Sequence, residues 1–195
     1  MKLLLTISIT MLVSCTSIVP MESAVSSNDI VRDHEGKVFL NGHKFTGTVL
    51  EYFTSGAVAS RSNYKNGQLD GPEYIYYETG QLKSRRFYRN GEKHGTHRGF
   101  FEDGALRFVY RFRNGLSIGN HKVWYEDGQL AQDLNYIDGY PFGSQKVWRR
   151  DGKIRSNYVV REDGRRYGLV GIKRCKNIDI EAEKVAPLTA QNYVQ

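Results

Sequence analysis

The sequence predicts an all-β fold: an elongated antiparallel meander of 24-residue β-hairpin repeats. Three observations predict it. The first is a glycine period. Gly56, Gly80, Gly104, Gly128 and Gly152 stand 24 residues apart. Two further series keep that interval before ending one residue late: Gly67, Gly91, Gly115, Gly139, then Gly164; and Gly47, Gly71, Gly95, Gly119, Gly143, then Gly168. Self-similarity at a fixed period marks a repeat architecture whose units stack on one another. The second observation is turn chemistry. The first series reads Ser55-Gly56, Thr79-Gly80, Asp103-Gly104, Asp127-Gly128, Asp151-Gly152, and the second reads Asn66-Gly67, Asn90-Gly91, Asn114-Gly115, Asp138-Gly139, Asp163-Gly164. Asn-Gly and Asp-Gly between extended segments signal tight two-residue hairpin turns, because both central residues need positive φ. The third is alternation. Four residues before each first-series glycine stands a ring: Tyr52, Tyr76, Phe100, Trp124, Trp148. Two after it stands Val58, Leu82, Leu106, Leu130 or Ile154, and eight after it Tyr64, Tyr88, Phe112, Tyr136 or Val160. These offsets share parity, so in an extended chain they are expected on one packed face with a wet face opposite.

The elements follow in chain order. Residues 1–14 carry Lys2 and the apolar run LLLTISITMLV, which is too short to span a bilayer but fits a secretory signal. Leu12-Val13-Ser14-Cys15 resembles the bacterial lipobox, which implies that Cys15 is lipidated and becomes the mature N-terminus. The modification implied carries more than one acyl chain, and several chains give stable membrane anchoring where one does not. Residues 15–29 are Ser-rich and read as a lipidated tether. Residues 30–178 form the repeat domain, with units at about 45–69, 70–93, 94–117, 118–141 and 142–166 and irregular capping half-units at 30–44 and 167–178. Residues 179–195 are a weakly acidic tail. The only other cysteine, Cys175, lies in apolar surroundings and has no disulfide partner once Cys15 is acylated.

Units such as YYETGQLKSRRFYRNGEKHG (Tyr76 to Gly95) and WYEDGQLAQDLNYIDGYPFG (Trp124 to Gly143) resemble the MORN-repeat variant of the YwqK-family antitoxin proteins. The resemblance covers about residues 45–168. It implies an elongated antiparallel array with an interaction role, and it carries no catalytic residues. The first and last units depart from the pattern, with Ser55 in place of an acidic turn residue and Arg149 and Val160 in place of rings.

Chemistry is sparse. The Glu-Asp-Gly tips lack the alternating oxygen ligands of a calcium loop. His97 and His121 occupy one slot in successive units, roughly 10 Å apart along a sheet, too far to share a zinc ion. Glu73 and Gln145 fill the same slot, so a polar surface column is expected. No nucleophile-base pair and no phosphate loop is present, which points away from an enzyme, a metal or a cofactor. No nucleic-acid module is recognisable.

The net charge of +7 is concentrated: Leu82 to Arg113 holds nine Lys/Arg against three Asp/Glu. Lys83, Arg85, Arg89, Arg107, Arg111 and Arg113 have the parity to share one basic face, suited to an anionic partner. The first functional expectation is a membrane-anchored, non-enzymatic scaffold in the cell envelope, binding a protein or an anionic envelope polymer. In a two-membrane cell, Ser17 rather than Asp after the lipobox favours the outer membrane. The family resemblance implies an alternative, an immunity or antitoxin protein acting at the envelope. A third reading binds or hydrolyses glycans on exposed rings, with Glu102 and Glu126 as its carboxylates.

Overall fold

The structure, a computed structural model, describes residues 24–171. The signal segment, Cys15, Cys175 and the 179–195 tail therefore lie outside the described residues. The strands are β1 (Ala24–Ser26), β2 (Val31–Arg32), β3 (Val38–Leu40), β4 (His43–Lys44), β5 (Gly47–Tyr52), β6 (Val58–Lys65), β7 (Gln68–Tyr76), β8 (Leu82–Arg89), β9 (Glu92–Lys93), β10 (Gly95–Phe100), β11 (Leu106–Arg113), β12 (Leu116–Ser117), β13 (Gly119–Trp124), β14 (Leu130–Ile137), β15 (Tyr140–Trp148), β16 (Ile154–Val160) and β17 (Arg166–Leu169). One sheet runs β1-β5-β6-β7-β8-β10-β11-β13-β14-β15-β16-β17, with β9 on β8 and β12 on β11 as overhangs. Apart from the parallel β1–β5 contact, it is an antiparallel meander. A second sheet, β2-β3-β4, lies at its N-terminal end. There a core of Val38, Phe45, Val49 and Tyr64 forms, with Val25, Ile30, Leu40 and Leu69 packed against it.

The sheet begins earlier than the sequence suggested. Residues 24–26, assigned to the tether, pair with Thr48–Leu50, and Ser27–Asp29 form a 3-10 turn capped by Ser26. Val25 buries its side chain against the core, which outweighs the local Ser-rich composition.

The two turn series differ physically. Asn66, Asn90, Asn114 and Asp138 have φ of 46–52°, and each is followed by a glycine with φ of 76–88°. These are the expected two-residue primed turns. The first series is different. Only its glycine has positive φ, and the closing bonds run Phe53 N–H to Ala57 O and Gly56 N–H to Phe53 O, a pattern repeated at each tip. This is a three-residue loop, a type I turn completed by a left-handed glycine. It explains why Asp precedes these glycines: Asp103, Asp127 and Asp151 each accept a hydrogen bond from the backbone N–H two residues on. Asp163-Gly164 follows the same rule, with Asp163 accepting from Arg165 N–H, so it belongs to this turn class rather than to the Asn-Gly series.

The second-series glycines also join units. The N–H groups of Gly67, Gly91, Gly115 and Gly139 donate to the carbonyls of Phe45, Leu69, Lys93 and Ser117, each 22 residues earlier, at 2.8–2.9 Å. Gly67 does this at the junction with the small sheet, where its carbonyl also accepts from Val38 N–H. A Cβ there would stand 3.0 Å from Val38 O, whereas one at Gly104 would meet nothing within 4 Å. Both positions have φ above 80°. Gly104→Ala is therefore expected to cost about 1 kcal/mol of backbone strain, and Gly67→Ala about 2 kcal/mol or more, as read by thermal unfolding.

Candidate functional site

By parity alone the three residue classes share one face, and the register separates them. In every hairpin the pairing slips by one residue next to the ring, between Glu51/Tyr52, Ile75/Tyr76, Gly99/Phe100, Val123/Trp124 and Val147/Trp148. Tyr52 thus pairs with Val58 while its neighbour Glu51 pairs with Ser60, on the side of Ser62 and Tyr64. The bulge turns the ring-aliphatic pairs to one side and the buried rings to the other. All five units carry this bulge, so the three residue classes do not share one face.

On the first side, the stack face, Tyr64, Tyr88, Phe112, Tyr136 and Val160 pair with Gly47, Gly71, Gly95, Gly119 and Gly143. The third glycine series thus leaves room for a large side chain to lie across the opposite strand. Burial pushes the Tyr88, Tyr110 and Tyr136 phenols upward, which keeps them neutral.

The slot two residues beyond these glycines is buried, contrary to the surface column expected. His97 is 3% exposed, His121 6% and Gln145 1%. Each reaches a backbone carbonyl ten residues earlier. His97 Nε2 lies 2.8 Å from Phe87 O, and Gln145 Nε2 donates to Asn135 O at 2.7 Å. His121 Nε2 lies 2.9 Å from Arg111 O and 3.0 Å from Arg111 N, so its neutral ring satisfies one or the other according to tautomer. The imidazoles intercalate between rings. Centroid distances run 5.5 Å for Tyr88–His97, 4.7 Å for His97–Phe112, 5.5 Å for Phe112–His121 and 4.6 Å for His121–Tyr136. Burial, first of all, holds both imidazoles below their ordinary pKa. These histidines are structural. Among the described residues no group of three or more His, Cys, Asp or Glu is placed to hold a metal.

The other side, the strip face, carries the pairs Tyr52–Val58, Tyr76–Leu82, Phe100–Leu106, Trp124–Leu130 and Trp148–Ile154. They form a ribbon of apolar side chains across ten strands, about 43 Å at the usual strand spacing. Tyr52 (48%) and Ile154 (44%) are openly exposed. The adjoining row reads Leu50, Arg61, Tyr74, Arg85, then Arg98, Val109, Lys122, Asp133, Lys146, Asn157 along the ladder. It holds five cations and one acid, and Arg85 and Arg98 stand directly opposite each other.

The six basic residues singled out from the sequence divide among three places. Arg85 is in the strip-face row, its guanidinium 5.8 Å from the Tyr74 ring centre. Arg111 has the same orientation and donates from Nη1 to Asn120 O. Arg89 and Arg113 end their strands opposite Glu92 and Leu116. Lys83 and Arg107 occupy the bulges and lie over the Tyr77 and Phe101 rings at the hairpin tips. Sequence parity missed Arg61, Arg98, Lys122 and Lys146, which only the cross-strand register aligns with Arg85.

The glycines Gly56, Gly80, Gly104, Gly128 and Gly152 all occupy hairpin tips at φ of 79–86°. Trp124 and Trp148 are half-buried members of the strip.

A family model, the MORN repeat variant, matches residues 45–66, 69–90 and 118–138. No curated protein matches the chain. Repeats of this family are non-catalytic and serve generally as protein- or membrane-binding scaffolds. The units at about 94–117 and 142–166 repeat the turns and the register of the matched segments. The three matched segments are thus similar to MORN-variant repeats, and the same period and turn geometry run on through the unmatched units.

Proposed function

We propose that this chain is an exported scaffold, tethered to a membrane through a lipidated Cys15, that holds an acidic partner protein along its strip face. The observation that carries the reading is the Arg85–Arg98 pair beside a half-exposed apolar ribbon. Like charges directly opposite on neighbouring strands destabilise a sheet by up to about 1 kcal/mol, and an anionic partner would turn that cost into affinity. The ribbon supplies the apolar contact such a partner needs at its centre.

Twist favours a protein over the bilayer itself as the occupant. Neighbouring strands rotate by about 20°. Ten strands therefore turn the ribbon through roughly half a circle, and a flat membrane could meet only part of it. A polypeptide segment can follow the curve. The tether from Cys15 to Ala24 spans at most about 30 Å, which would keep the partner near the membrane surface.

The test is site-specific photo-crosslinking from the Lys122 position in cells carrying the full-length chain. The expected result is one predominant acidic protein adduct that disappears in an Arg85→Glu/Arg98→Glu variant and in high salt. Adducts to lipid alone, or adducts indifferent to charge reversal, would overturn the reading. If the captured protein is a secreted toxin, the scaffold is an immunity protein.

A further inference from the structure

An open cleft of about 470 Å³ lies at the hairpin tips, walled by Phe101, Glu102, Arg107, Trp124, Glu126 and Arg150. One wall of it lacks a hydroxyl that the neighbouring units carry. In the units on either side, the residue three before the turn glycine is tyrosine, and its hydroxyl reaches the carbonyl 23 residues ahead. Tyr77 Oη donates to Phe100 O and Tyr125 Oη to Trp148 O, both at 2.9 Å. Between them the same slot holds Phe101. The matching acceptor is Trp124 O, and among the described residues no side-chain donor reaches it. Trp124 lines the cleft.

The remaining lining defines the ligand class. Two carboxylates and two guanidiniums face one opening, so neither a polyanion nor a polycation is matched. The mixture offers acceptors at Glu102, Glu126 and Trp124 O, donors at Arg107 and Arg150, and ring surface at Phe101 and Trp124. A neutral sugar needs that combination: hydroxyls that both donate and accept, and an apolar C–H face that packs on rings. Arg107 and Arg150 are held in place over the Phe101 and Tyr125 rings, at 5.8 and 5.1 Å from the ring centres, and so are oriented before a ligand arrives. We infer that this cleft is a non-catalytic binding site for a neutral saccharide, with Phe101 as the residue that keeps it open.

The repeat itself supplies the discriminating variant. Phe101→Tyr copies the neighbouring units, places a hydroxyl on Trp124 O and narrows the cleft without disturbing the fold. The full-length protein is titrated with two neutral probes, a chitotetraose and a maltotetraose, following tryptophan emission and heat of binding. Saturable binding of either probe is expected, insensitive to high salt and unchanged in Arg85→Glu/Arg98→Glu, which separates this site from the strip face. Phe101→Tyr is expected to weaken it by about tenfold or more with an unchanged melting temperature, and Arg107→Ala to weaken it as well. Failure of both probes to bind, or equal binding by Phe101→Tyr, would overturn the assignment.

Discussion

Gly99→Ala lowers the stability of the sheet by about 1–3 kcal/mol, and Gly99→Val by more, because the position is already occupied by its neighbour's ring. Gly99 belongs to none of the three periodic glycine series and does not have positive φ. It pairs with Phe108, whose Cε1 would stand 2.0 Å from an added Cβ. The ring lies flat across the glycine and stacks on Tyr110 at 4.6 Å and 16°. Other units solve the same pair differently: Glu51 opposite Ser60, Ile75 opposite Ser84, Val147 opposite Ser156. Each of these three pairs has its small residue on the second strand; Val123 opposite Gln132 has no small member, and only the Gly99 unit places a glycine on the first strand. Gly99→Val is therefore expected to be rescued by Phe108→Ser, which rebuilds the Val147–Ser156 arrangement. A double-mutant cycle in thermal unfolding should show a coupling of at least about 1 kcal/mol, a few degrees in Tm for a chain of this size. Additive losses in the double variant would contradict the volume-exchange account.

The meander could be read from the sequence because its determinants are local. An Asn-Gly pair needs no knowledge of the rest of the chain to favour a primed turn, and the 24-residue interval converts one turn into an array. The faces could not be read, for a physical reason. Parity assumes an unbroken extended strand, and one bulge per hairpin reverses it at the ring. The same slip hid the basic row, since Arg61, Arg85, Arg98, Lys122 and Lys146 come from different strands and align only through pairing. The cleft left a trace in the sequence. Phe53, Tyr77, Phe101, Tyr125 and Arg149 share one slot, and Phe101 is the copy without a hydroxyl that lies between two tyrosines. What the trace lacked was the acceptor, because a bond to a carbonyl 23 residues away belongs to the register. The histidines misled for a related reason. A slot filled by Glu, His, His and Gln reads as solvated until the carbonyl that needs a donor is known.

That carbonyl sets the protein's acid response, the second large effect expected. Stability is expected to be complete at neutral pH and to fall as pH drops below about 6.5, the ordinary imidazole value. His97 is enclosed by the Tyr88 and Phe112 rings, with Arg86 and Lys93 also opposing its protonation. His121 is enclosed by Tyr110, Phe112 and Tyr136, with Arg111 adding the same sign. Both pKa values are lowered in the folded state. Above about pH 6.5 the rings are neutral whether the chain is folded or not, and their stabilisation is fully present. Below it the unfolded chain binds protons that the folded chain resists, so the equilibrium shifts toward unfolding until the folded-state values are passed. The chain holds its own control. Gln145 fills the slot without titrating and makes the same backbone bond. The His97→Gln/His121→Gln variant should therefore keep most of the wild-type Tm at pH 7.5 and lose most of its decline between pH 7 and pH 5. His97→Ala, which removes the donor and opens a gap between two rings, should cost about 2–4 kcal/mol at every pH. An equally steep acid decline in the double glutamine variant would overturn the histidine account.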